Sequence, residues 1–151
     1  YQSKGWPVTV VVDANIAIKW VVNEADSAEA VSLYESWTRR SELLIAPPIF
    51  RPEVTNVIHR KVHRGELNHV VAVDAIESLL TAVSIHEPER LYTNALSIAQ
   101  ATDLSATYDS LYLALAEAER CDFWTVDKRF VNAVARTSKH VRWLGELDSK
   151  K

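Results

Sequence analysis

Apolar and polar positions change period several times along the chain, and each change marks an element. Val8–Val12 is β-branched and almost continuously apolar, the pattern of a strand buried on both faces of a parallel sheet. A short helix is expected from about Ala14 and a longer one over Ser27–Arg40. Glu42–Ala46 reads as a second strand, stopped by Pro47 and Pro48. Pro52 suits the first turn of a helix running to about Arg64. That helix has an apolar stripe of Val54, Val57, Ile58 and Val62, and Gly65 stops it. Further helices are expected over Asn68–Ala82, Pro88–Ala101 and Thr107–Arg120, and a short one around Phe130–Val134. Short strands fit Val83–His86, Phe123–Val126 and Val141–Leu144.

This alternation, with only three glycines and no repeat or low-complexity stretch, predicts one α/β domain. The expected architecture is a three-layer α/β/α sandwich with a mainly parallel central sheet. The domain is expected to span 8–147. Residues 1–7 are expected to be vector-derived or flexible, and 148–151 a flexible C-terminus.

Composition changes this picture little. A chain of 151 residues, 48% of them hydrophobic, can bury the core of one domain. The net charge of −3 gives no global attraction to nucleic acid or anionic membrane, so such a partner needs a local basic patch. Cys121 is the single cysteine and can form no intramolecular disulfide. With no secretory signal, that favours the reducing cytoplasm. No apolar run approaches the roughly 20 residues that span a bilayer, and no membrane partner is expected.

The candidate chemistry lies in four carboxylates, Asp13, Glu53, Asp109 and Asp127, each set where a strand or loop gives way to a helix. Asp13 ends VTVVVDAN and Asp127 lies in CDFWTVDKRF. In a parallel sheet the C-terminal strand ends share one edge, where ligand sites form. Four acids gathered there repel one another unless protonated or neutralised, and a divalent cation neutralises them. Each acid also has an ordinary role. Asp13 and Asp127 can cap the helices that follow them, and Glu53 and Asp109 can offset the dipole in a first turn. Capping does not, however, require four helix starts to face a common edge. Asp74 and Asp103 are weaker candidates, and Glu24, Asp26, Glu29, Glu35, Glu77 and Glu117 read as solvated helix faces.

Among the cations, Arg51, Lys128 and Arg129 adjoin acidic positions and are candidates for phosphate contacts, with solvated surface charge as the alternative. Arg60, Lys61, His63 and Arg64 end the helix that Glu53 begins, where cations favour the dipole on their own account. Trp6, Trp20, Trp37, Trp124 and Trp143 are scattered, as core or interface residues are, and form no evident platform for bases. The five histidines lack the pairing of a zinc site. If the strand carrying Thr125 continues to Asp127, the two share a sheet face and Thr125 can bond a metal water or phosphate. Asn15 can orient Asp13, contact substrate or bond locally at a helix start.

In order, VVVDANIAIKW, PEVTNVIHR, LSATYDSLYLALAEA and WTVDKRF resemble the PIN-domain ribonucleases, especially the VapC-like toxins of toxin–antitoxin pairs. The resemblance runs from about Val8 to Leu144. It implies that Asp13, Glu53, Asp109 and Asp127 are the acidic metal site, with Asn15 and Thr125 as accessory polar positions. It further implies an endoribonuclease that uses Mg²⁺ or Mn²⁺, an RNA substrate, a cognate antitoxin and a homodimer. Asp13 and Asp109 are then the expected direct ligands, and Asp127 completes the site directly or through water. Glu53 orients or deprotonates the attacking water, or binds a second ion. Two other classes compete with this one. A PIN-like module could hold metal or RNA without effective catalysis. A receiver-type signalling domain also gathers acids at a sheet edge, but HVRWLGEL supplies no matching lysine.

Overall fold

The computed structural model describes residues 8–104 and 106–150, the last three by backbone alone. The expectation for residues 1–7, Trp6 among them, falls outside the described residues, as do the side chains of 148–150 and all of 151.

Among the described residues the elements follow as β1 (Thr9–Val12), α1 (Ala14–Val21), α2 (Ser27–Arg39), β2 (Leu43–Ala46), α3 (Phe50–His63) and α4 (His69–Ala82). The chain continues with β3 (Ser84–Ile85), α5 (Leu91–Ala101), α6 (Tyr108–Glu119), β4 (Phe123–Thr125), α7 (Lys128–Val134) and β5 (Val141–Trp143). A 3₁₀ helix, Leu144–Lys150, follows. The expected α/β architecture is the one observed. Among the described residues all strand pairings are parallel, in a five-stranded sheet of order β3-β2-β1-β4-β5.

This order places the site. Successive strands run outward from β1 to β3, and the chain then returns to lay β4 on the other side of β1. The direction of winding reverses between β1 and β4, and the crevice at their C-terminal ends is where open parallel sheets bind ligands. Right-handed crossovers put α1–α4 on one face of the sheet and α5–α7 on the other. The core between these layers includes Val11, Val12, Ile45, Phe50, Leu115 and Phe123. Three indoles behave as core residues: Trp20 meets Trp37, and Trp37 meets Trp124, each with ring centroids 6.3 Å apart.

Candidate active site

Asp13 directly follows β1 and is the N-cap of α1. Its Oδ1 accepts the Ile16 N–H at 2.8 Å, and its Oδ2 accepts the Thr125 hydroxyl at 2.7 Å. Only 5% of the residue is exposed. Burial raises its pKa from 3.8 to about 6, against those two hydrogen bonds, and repulsion from Asp109 and Glu53 adds to the rise.

Glu53 sits in the first turn of α3, half-buried, where Oε1 accepts the Tyr112 hydroxyl at 2.6 Å. Burial raises its pKa, the Tyr112 bond opposes the rise, and Asp109 reinforces it. Asp109 lies in the first turn of α6, and its pKa is raised by burial and then by Asp127. Asp127 caps α7, its Oδ1 accepting the N–H groups of Arg129 at 3.0 Å and Phe130 at 3.1 Å. The four acids are therefore linked by mutual repulsion: Asp13 with Asp109 and Glu53, Glu53 with Asp109, and Asp109 with Asp127. Among the described residues, the ion pairs involve none of them. Both expected caps form, and capping coexists with clustering because a carboxylate that bonds a helix start keeps further lone pairs.

The accessory positions sit as follows. The strand carrying Thr125 ends there, so no sheet face is shared with Asp127. Thr125 is buried and its hydroxyl is committed, donating to Asp13 and accepting the Asp127 N–H at 3.1 Å. It ties Asp13 to the start of the Asp127 turn, and one lone pair of its hydroxyl remains. Asn15 is exposed on α1, and the hydrogen bonds on Asp13 come from Ile16 and Thr125, which leaves the substrate-contact reading of Asn15 open.

The candidate phosphate contacts Arg51, Lys128 and Arg129 are exposed and adjoin the acids in sequence, with the Lys128 Nζ 4.7 Å from the Trp143 ring centroid. Lys61 instead pairs with Glu24 at 2.8 Å and Glu66 at 3.6 Å, a structural use of a helix-end cation. Asp74 is exposed on α4 and Asp103 is exposed in the α5–α6 loop.

Tyr112 is a participant that sequence reasoning missed. Burial and the neighbouring Glu53 push its phenol pKa well up, so it stays a donor. The one signal that marks it is its spacing, three residues after Asp109 on the same helix face.

The acids offer oxygen donors alone, a hard set suited to Mg²⁺ or Mn²⁺ rather than to zinc. Among the described residues no three His, Cys, Asp or Glu side chains are grouped so as to hold an ion by themselves.

Fold and acids together define a class: an open parallel-sheet domain with an acidic cluster at its winding reversal. The chain belongs to the PIN domain family, whose model matches residues 10–135, and PIN domains are generally nucleases. No curated protein matches the sequence. Among solved structures, the chain is similar to PAE2754 from Pyrobaculum aerophilum, with a TM-score of 0.68 and 16% identity over 95% of this chain and 94% of that one. It is also similar to a chain of a toxin–antitoxin complex from Klebsiella pneumoniae, with a TM-score of 0.62 and 18% identity over 89% of this chain and 97% of that one. At these identities the likeness is one of fold. No helix among the described residues is long and apolar enough to cross a membrane.

Proposed function

We propose that this chain is a divalent-metal-dependent endoribonuclease that hydrolyses RNA phosphodiester bonds, acting in the cytoplasm as the toxin of a toxin–antitoxin pair. The observation that carries the proposal is the row of four mutually repelling acids at the sheet edge, three with raised pKa values and none in an ion pair among the described residues. Such a cluster has no internal source of positive charge, and a cation supplies it. Asp13 and Asp109 would be direct ligands, with Asp127 ligating directly or through water. When bound, Mg²⁺ or Mn²⁺ supplies a lowered water pKa and charge stabilisation at the phosphate oxygens. Glu53 orients or deprotonates the attacking water, and Arg51, Lys128 and Arg129 hold the flanking phosphates. The Klebsiella pneumoniae neighbour comes from a toxin–antitoxin complex, which supports a cognate antitoxin as partner.

The test is RNA cleavage by purified wild type and Asp109→Asn with Mg²⁺, with Mn²⁺ and with EDTA, each folded by circular dichroism. Wild type should cleave, EDTA should abolish cleavage, and the substitution should reduce it by roughly 100-fold or more. Equal cleavage by both proteins would place the chemistry elsewhere. Metal binding lost in Asp109→Asn, without cleavage by either protein, would make this a PIN-type binding module instead.

A further inference from the structure

We propose that Tyr112 is a positioning residue that sets the role of Glu53. Its hydroxyl bonds Oε1 and fixes the carboxylate, presenting Oε2 to the attacking water. The inference rests on the nuclease reading above and deepens it.

The geometry carries it in three ways. The bond is 2.6 Å long and has an ionisable acceptor, in the range of strong charge-assisted hydrogen bonds. The donor cannot swing away, because Tyr112 is 1% exposed and stacks on Phe123 of β4 with ring centroids 5.4 Å apart and planes 13° apart. The bond also crosses the molecule. Glu53 starts α3 in one helical layer and Tyr112 belongs to α6 in the other, so the hydroxyl reaches over the sheet edge at the acid cluster. A glutamate at an exposed helix start otherwise samples several rotamers, and an attacking water needs one.

A buried tyrosine also needs a hydrogen-bond partner for stability alone, and the experiment separates the two roles. Tyr112→Phe keeps the ring and its stacking. It is compared with wild type for thermal stability, Mn²⁺ affinity read from the electron paramagnetic resonance of free Mn²⁺, and kcat and KM on RNA. The same substitution is repeated in a Glu53→Asp background, whose shorter side chain draws the carboxylate back from Tyr112.

The expected result is a kcat reduced by roughly 10- to 100-fold, with RNA KM and Mn²⁺ affinity within about two-fold of wild type. In the Glu53→Asp background the further loss should be under about two-fold, the non-additivity of residues that act through one another. Equal fractional losses in both backgrounds would make the role structural and overturn the proposal. Full activity in Tyr112→Phe would overturn it, and so would Mn²⁺ affinity weakened in step with kcat, since Glu53 would then serve the cation. Failure of wild type to cleave RNA with metal present would remove the nuclease reading itself, and this role with it.

Discussion

A carboxylate buried as deeply as Asp13 is costly to keep ionised, even with a helix N–H and a threonine hydroxyl on its oxygens. Its folded pKa of about 6 stands above the ordinary 3.8, so between those values the folded state holds a proton that the unfolded state has released. Metal-free protein therefore loses stability as pH rises through that window, by about 3 kcal/mol for the shift from 3.8 to about 6. Glu53 and Asp109, raised by burial and repulsion, act with the same sign. Asp13→Asn keeps the acceptor for Ile16 and removes the charge. Urea unfolding across pH should show a shallower decline in this variant, and greater stability than wild type at pH 7.5 without metal. Adding Mn²⁺ at that pH should raise the melting temperature of wild type and leave the variant nearly unmoved. A steeper decline in the variant would show that Asp13 is not the strained group.

Element boundaries show where local chemistry was decisive. Asn68 caps α4 by accepting the Val71 N–H at 2.9 Å, and Gly65 follows the end of α3 with φ +76°. A side chain at Gly65 meets nothing within 4 Å, so the only obstacle to one there is conformational. Gly65→Ala should cost about 1 kcal/mol in urea unfolding without touching RNA cleavage. A neutral result would mean that the helix end relaxes. One boundary moved at a proline. Pro88 was expected to begin a helix, but its carbonyl accepts the Leu91 N–H in a turn at 3.0 Å, and α5 starts only there. Pro52 does fall in the first turn of α3, and Phe50 and Arg51 precede it in the helix.

At the level of the molecule, the winding reversal between β1 and β4 makes one site from segments far apart in the chain. Val70, Val71 and Val73 on α4 and Tyr92 and Leu96 on α5 are exposed apolar side chains, and the homodimer that the family resemblance implies remains an expectation. Light scattering on the purified chain should give twice its 17.0 kDa mass, and a mass of one chain at all concentrations would remove the homodimer.

Much of this was readable in advance because it is local. Strand and helix periods are carried by neighbouring residues, and a carboxylate at an element boundary is visible as such, which is why the sheet and the positions of Asp13 and Asp127 could be read directly. Contacts between distant segments could not be read that way. Thr125 reaches Asp13 across 112 positions and Tyr112 reaches Glu53 across 59. No periodicity encodes which hydroxyl meets which carboxylate. Those pairs depend on strand order and on how far each helix slides along the sheet, and both are set by packing of the whole core.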